Sequence, residues 1–317
     1  MPALFLVLAC ALWGVSFPVI KALNLEQAGR LGGVPESFLS AWLQMARFGL
    51  AALVMAPFLA HKLPRRAEVV QGAWLALWGG LGMALQAWGL NRTEASTSAF
   101  LTQAYCVILP LIACVKTRCA PTPRVIAATL MVVVGGAILA GVNPKTLKVG
   151  DGELATLAAA FIFTFQILTL ENPKYEGNRG LVVTFMMSAW IAVLFLPVSL
   201  LLAPQPMMLI SAGASWPAFA LVATLALVCS VGAYGLMNSW QPKVPSTEAG
   251  LIYTTEPIFT AGFAMFMPAW LTTLVGHPYP NESLTQSLIY GGSLILAANV
   301  LMQWKHPPHP PAIAPAP

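Results

Sequence analysis

Ten apolar stretches of about twenty residues each occupy most of this 317-residue chain and leave only short hydrophilic gaps. A helix of roughly 18 to 20 apolar residues crosses the hydrocarbon core of a bilayer. Charged residues make up 9% of the chain and the mean hydropathy is +0.75, whereas soluble domains hold about 25% charged residues. Because lipid offers the backbone no hydrogen-bond partner and the stretches lack polar alternation, an all-α transmembrane protein is predicted. The predicted spans are residues 3–22, 38–60, 71–91, 94–115, 123–142, 152–171, 181–203, 216–239, 249–271 and 284–304.

The chain resembles itself at an offset of about 150 residues, which aligns span 1 with span 6 and span 4 with span 9. Because each half would cross the membrane an odd number of times, the second half would be inserted upside down relative to the first. Inverted halves of this kind form transporters with a site near the bilayer midplane. We therefore predict two inverted five-helix repeats around a central cavity. Their predicted bounds are residues 1–143 and 151–305, with a connecting loop at 144–150 and a disordered proline-rich tail at 306–317.

The distribution of Lys and Arg predicts the orientation. With the amino terminus in the cytoplasm, the cytoplasmic gaps hold ten of these residues and the opposite gaps hold five. Both termini are therefore predicted to be cytoplasmic. The net charge of +5 is then explained by topology and anionic lipid headgroups, and no basic run interleaved with aromatic residues indicates nucleic-acid binding. The predicted partners are the lipid bilayer and a small-molecule substrate; no oligomeric state is predicted.

Two charged residues fall well inside the predicted spans. Arg47 lies roughly 14 Å into span 2 by helical rise, and Glu256 is the carboxylate placed deepest in a span. Charged groups at such depth usually face the bundle interior or a wet cavity. Glu256 is therefore the candidate for proton coupling, with capping of backbone groups freed by Pro257 as the structural alternative. The two charges can pair or share a water.

Polar and aromatic side chains also recur at three- and four-residue spacing, which places each set on one helix face. Together these faces predict one mainly apolar cavity in which an aromatic ring can stack, although hydrogen bonding between packed helices also explains individual residues. An ammonium and a carboxylate group would meet amides, aromatic faces, Arg47 or Glu256. The predicted substrate-binding residues are Trp13, Gln44, Arg47, Trp78, Gln86, Gln103, Phe163, Gln166, Tyr234, Asn238, Tyr253 and Glu256.

Other function classes find little support in the sequence. The four histidines fall in gaps or the tail, the cysteines form no CxxC pair, and no GxSxG or HExxH motif occurs. We predict no cofactor, no metal site and no enzymatic activity. A channel would need a filter or charged ring, and a sensor would need a larger soluble part. A small-molecule channel or a membrane sensor remains the alternative from another class.

Several short motifs occur in a characteristic order. They are Trp13-Gly14 with Phe17, Arg47-Phe48, the small-residue run from Thr93 to Phe100, Gly150-Asp151, and Glu256-Pro257. In this order the chain resembles the drug/metabolite transporter superfamily, and within it the ten-span EamA-type exporters. It departs from their pattern near Val107, where a proline is usual, and after span 9, where a Gly-Glu pair is missing.

The resemblance implies export of small organic metabolites across a bacterial inner membrane by alternating access. Overall the chain is most similar to exporters of amino acids, including aromatic ones. The expected substrates are therefore amino acids with aromatic or bulky side chains, moving down their gradient or with weak proton coupling. A proton-coupled multidrug exporter, or an exporter of other metabolites with the same fold, is the alternative.

Overall fold

A computed structural model describes residues 2–59, 61, 63–118, 120–141, 149–244, 249 and 252–303. Within these residues the regular secondary structure is helical and no strand occurs. Most of the predicted connecting loop (144–150) and the whole predicted tail (306–317) lie outside the described residues. The helices are α1 (Pro2–Leu31), α2 (Glu36–Leu59), α3 (Arg66–Gly89), α4 (Ala95–Thr102), α5 (Tyr105–Thr117), α6 (Pro123–Leu139), α7 (Asp151–Leu170), α8 (Gly180–Leu202), α9 (Met208–Ser211), α10 (Trp216–Thr224), α11 (Ala233–Trp240), α12 (Glu256–Ala264), α13 (Met267–Val275) and α14 (Gln286–Gln303).

Several helices are long and apolar enough to cross a membrane. Within the described chain six segments meet this condition, and the α12–α13 pair makes a seventh if it counts as one bent span. The apolar helices Pro123–Leu139 and Gln286–Met302 are shorter, and α3 is not among the six. The chain is a multi-pass membrane protein, and the ten crossings stay a prediction. The six segments are Pro2–Leu31, Glu36–Leu59, Ala95–Ile112, Asp151–Leu170, Gly180–Leu202 and Trp216–Lys243.

The first helix is longer than predicted, because it continues to Leu31 rather than ending near residue 22. Its polar end is buried against the segment that contains α9. Gln27 donates to the Ala212 carbonyl at 2.9 Å, and Arg30 donates to Glu26 at 2.6 Å. These bonds satisfy polar groups that lipid would leave unpaired, so the helix continues past its apolar stretch.

Three of the predicted spans are interrupted near their middles. Predicted span 4 breaks between α4 and α5, and predicted span 9 contains a 59° bend between α12 and α13. In predicted span 8, the π-helical segment Leu225–Gly232 joins α10 to α11. Such irregular backbone frees carbonyl and amide groups, and in membrane proteins it usually occurs at buried functional positions.

An ion pair ties the start of α3 to the start of α8. The fully buried Glu68 carboxylate accepts hydrogen bonds from the Arg179 side chain at 2.7 and 2.8 Å, and from the Arg179 backbone amide at 3.0 Å. Arg65 contributes its backbone amide at 2.7 Å. The Arg179 hydrogen bonds lower the pKa of Glu68 to about 2, well below its ordinary value.

This lowered pKa predicts an acid-sensitive contribution to stability. The contribution is complete above the ordinary glutamate pKa of about 4.3 and is lost as the pH falls towards about 2, because only the carboxylate form is favoured by folding. We expect Glu68→Gln to lower the unfolding temperature in detergent at neutral pH. The gap to the unmodified protein should narrow steadily below about pH 4.3. The exposed Glu176→Gln variant is the control, and a gap that stays constant with pH would contradict this role.

Candidate substrate cavity

A cavity of about 770 Å³, including its opening to solvent, lies between α1, α2, α3, α4, α5, α7, α11 and α12. The structure places eight of the twelve predicted substrate-binding residues on its wall. These eight are Trp13, Arg47, Gln86, Phe163, Gln166, Tyr234, Tyr253 and Glu256. The sequence pattern therefore predicted most of the polar and aromatic lining.

Two of the remaining predicted residues lie at helix packing positions instead. Trp78 stacks against Trp74 and Phe165, with ring centroids 6.0 and 5.2 Å away, so it fills the contact between α3 and α7. Gln44 is fully buried in α2, and neither polar atom of its amide has a hydrogen-bond partner within the part of the chain that the structure describes. Neither side chain lines the cavity, because each points to a face next to the one predicted.

The other two hold helices together. Gln103, at the break between α4 and α5, donates its amide to the Tyr253 carbonyl just before α12 at 3.2 Å. Asn238 donates to the Thr184 hydroxyl at 2.9 Å and so joins α11 to α8. Hydrogen bonding between packed helices, the alternative explanation from the sequence, accounts for the position of both.

Ten residues of the cavity wall are not among the twelve predicted substrate-binding residues. Most lie one helical turn from a predicted residue and are apolar, so their composition alone gave no signal. Gln241 was missed because it lies beyond the predicted end of span 8, within the short 3-10 turn Gln241–Lys243. The missed residues are Ser16, Phe17, Ile20, Met83, Thr102, Tyr105, Ile167, Leu170, Met237 and Gln241.

Three aromatic residues form a continuous surface on the cavity wall. The Trp13 ring lies 5.1 Å from the Tyr234 ring, edge to face, and 6.0 Å from the Tyr253 ring. The Tyr253 hydroxyl donates to Gln241 at 2.6 Å, and the Tyr234 hydroxyl lies 3.3 Å from the Met83 sulfur. These contacts fix the rings in place, and a flat apolar group can stack against them.

Arg47 supplies the positive charge of the cavity. Its side chain is 3% exposed, and its Nε atom donates to the Ser230 hydroxyl at 2.7 Å. Ser230 belongs to the π-helical segment, so the widened turn of that segment meets the cation. Within the described residues Arg47 has no carboxylate partner. Its two terminal nitrogens are therefore available to an anionic group of a ligand.

Glu256 supplies a negative charge on the same wall. It is the first residue of α12, and Pro257 follows it in the first helical turn. Its carboxylate makes no ion pair with Arg47 among the described residues. A carboxylate is stabilised at a helix amino terminus by the helix dipole. The cavity thus holds a cation and a carboxylate that do not form an ion pair with each other.

The cavity leads into a polar vestibule at one end of the bundle. Leu170 and Gln241 line both spaces, and the vestibule continues along the loop between α7 and α8. The start of α1 lies at this end, because Phe5 stacks on Trp240 with ring centroids 4.5 Å apart. The vestibule therefore lies beside the cavity at the end of the bundle where α1 begins.

Polar contacts close the opposite end. Lys21 of α1 pairs with Glu94 at 3.0 Å, just before α4. Glu282, from the segment after α13, accepts hydrogen bonds from the Ala95 amide at 2.7 Å and the Ser96 hydroxyl at 2.5 Å. These contacts hold α1, the start of α4 and the segment after α13 together at this end.

Comparison with known proteins shows what the chain is similar to. Residues 1–141 match the EamA-like transporter family. Over this stretch the chain is similar to EamA-like transporters. An uncharacterized transporter of Archaeoglobus fulgidus is 23% identical over 304 residues, which cover 94% of this chain and 84% of that protein. A crystal structure described only as that of a protein is 16% identical and covers 92% of this chain and 95% of its own, with a TM-score of 0.49.

The cavity draws on both halves of the sequence. Trp13 and Arg47 lie within the stretch that matches the family, whereas Phe163, Tyr234 and Glu256 lie beyond it. The second half is therefore part of the same binding structure and not an appended domain.

Proposed function

We propose that this transporter exports small organic metabolites, and amino acids with aromatic or bulky side chains in particular, by alternating access. The observation that carries the proposal is an aromatic cavity with a separate cation and carboxylate. Arg47 would bind the substrate carboxylate, Glu256 would bind the ammonium group, and the Trp13 surface would hold the side chain. A neutral sugar or nucleobase would leave both charges without a partner, which is costly in a buried site.

The proposed architecture is the predicted pair of inverted five-helix halves, residues 1–143 and 151–305. Helix contacts support it, because α1 packs on α12 as α7 packs on α4, and α3 packs on α8 as the π-helical segment packs on α2. Gln103 and Tyr253, which are in hydrogen-bond contact, are separated by 150 residues, the offset found in the sequence. Halves related in this way can exchange conformations and open the cavity to either side.

The proposed location is a bacterial inner membrane with both termini in the cytoplasm. The two-to-one bias of Lys and Arg supports this orientation. In that orientation the vestibule opens to the cytoplasm, where an exporter takes up its substrate. The proposed partners remain a small molecule such as an amino acid and the surrounding lipid.

Counterflow with purified protein in liposomes tests the proposed function. Vesicles preloaded with unlabelled phenylalanine, leucine, a nucleobase, a sugar or a cationic drug receive the labelled compound outside. We expect saturable uptake that requires preloading, strongest for phenylalanine and absent from protein-free vesicles. Counterflow confined to the cationic drug would overturn the amino acid assignment. Flux that does not saturate would indicate a channel, and binding without flux would indicate a sensor.

A further inference from the structure

Two glycines of α3 lie against α7 side chains that line the cavity. Gly79 and Gly82 are three residues apart and so lie on one face of the helix, and α3 packs closely along α7. A Cβ atom at Gly82 would lie 2.5 Å from Cε1 and 2.7 Å from Cδ1 of Phe163. A Cβ atom at Gly79 would lie 2.6 Å from Nε2 of Gln166. Both α7 side chains line the cavity.

Contacts this short do not occur between real Cβ atoms and their neighbours, so any side chain at these positions would displace the residue behind it. The Phe163 ring contacts α3 at Gly82 and also lines the cavity, so a displaced ring changes the space in which a substrate would lie. The absence of the two Cβ atoms therefore leaves room for these α7 side chains against α3.

Gln166 gives a second, independent indication. Its side chain is 5% exposed, and its buried Nε2 atom has no hydrogen-bond partner among the described residues. An unpaired amide donor in a buried position is costly unless a ligand or water occupies it. The missing Cβ atom of Gly79 leaves the space that this amide occupies. The donor is therefore held at the cavity wall, where a polar group of a substrate can accept from it.

We infer that Gly79 and Gly82 set the width of the cavity and thereby the largest substrate side chain that the transporter accepts. They act as positioning residues through Gln166 and Phe163, without touching the substrate. This inference rests on the proposed function for its biological meaning. The geometric part, that the glycines control cavity width, can be tested without any substrate.

The substrate-independent test measures cavity width with thiol reagents of two sizes. A Thr102→Cys substitution, in protein whose native cysteines are replaced, places a thiol on the cavity wall. Its reaction rates are measured with a small aminoethyl methanethiosulfonate and a bulky benzophenone-bearing one. We expect Gly82→Ala to slow the bulky reagent by about tenfold relative to the small one, in the range that a single methyl group imposes on a tight pocket. In the double variant Gly82→Ala/Phe163→Leu, the ratio of the two reaction rates should return to its value in protein with Gly82 and Phe163 intact.

The matched control is Gly262→Ala in α12, where an added Cβ meets no atom within 4 Å. Folding of each variant is checked by size-exclusion chromatography. An unchanged reagent ratio in folded Gly82→Ala overturns the inference. If that variant does not fold, Phe163→Ala is measured in protein that keeps both glycines of α3. A faster reaction of the bulky reagent supports the inference, and an unchanged ratio of the two reaction rates overturns it.

Counterflow then tests the consequence for specificity, using labelled alanine, leucine and tryptophan. Gly82→Ala is expected to lower tryptophan flux by about tenfold relative to alanine flux, and Phe163→Leu is expected to restore it. Equal loss for all three would contradict a role in size selection and indicate a general structural defect. If none of the amino acids moves even in the unmodified protein, the proposed function fails, while the thiol ratios still decide what the glycines do.

Discussion

Replacing Arg47 with glutamine is expected to lower phenylalanine flux by roughly one to two orders of magnitude, because hydrogen bonds to charged groups contribute about 1.5–3 kcal/mol. Arg47 is the positive charge of the cavity, and its terminal nitrogens have no carboxylate partner among the described residues. A substrate carboxylate would fill that role as a charge-assisted, bidentate partner. Arg47→Lys keeps the charge but loses the planar fork, so an intermediate loss is expected.

The decisive measurement compares phenylalanine with phenethylamine, which lacks the carboxylate. The loss caused by Arg47→Gln should be large for phenylalanine and small for phenethylamine. Two variants serve as controls. Lys174→Gln neutralises an exposed cation outside the cavity, and Ser230→Ala removes the hydrogen bond at 2.7 Å while keeping the Arg47 charge. Equal loss for both compounds would show that Arg47 supports the helix packing and does not read the carboxylate.

The sequence predicted the helical segments well where lipid and packing both favour apolar residues. The predicted helix ends were wrong where a helix packs against other parts of the protein and not against lipid. The polar end of α1 continues to Leu31 because Gln27 donates to the buried Ala212 carbonyl. This partner is distant in the sequence, so no local pattern predicts it. The break after α4 also lacks a glycine or proline in its turn, so tertiary contacts and not local chemistry determine it. Pro257, by contrast, marks the irregular start of α12.

The candidate site was predictable to the extent that one face of a helix can be recognised. The structure places Trp13, Arg47 and Phe163, which the spacing predicted as substrate-binding residues, on the cavity wall. Spacing could not separate neighbouring faces of one helix. Trp78, which was predicted to line the cavity, packs between helices instead. The glycines of α3 show the limit most clearly. Their three-residue spacing is visible in the sequence, but their effect depends on which α7 side chains they meet.

Replacing Glu256 with glutamine is expected to raise the KM for phenylalanine by roughly tenfold, equivalent to about 1.4 kcal/mol, and to leave downhill counterflow at saturation intact. Glutamine keeps the shape and the hydrogen-bonding oxygen but carries no charge for the substrate ammonium. Because Glu256 pairs with no cation among the described residues, loss of its charge should not disturb the helix packing. Glu256→Asp should recover part of the lost affinity.

A pH gradient across the vesicle separates the two roles of this carboxylate. If Glu256 only binds substrate, neither the unmodified protein nor Glu256→Gln will accumulate phenylalanine above equilibrium when the gradient is imposed. Loss of all flux in Glu256→Gln, with recovery in Glu256→Asp and accumulation driven by the gradient in the unmodified protein, would overturn the facilitator mechanism. Glu256 would then carry the coupled proton, since glutamine cannot bind one. In that case the carboxylate that binds the substrate would also couple substrate transport to the proton gradient.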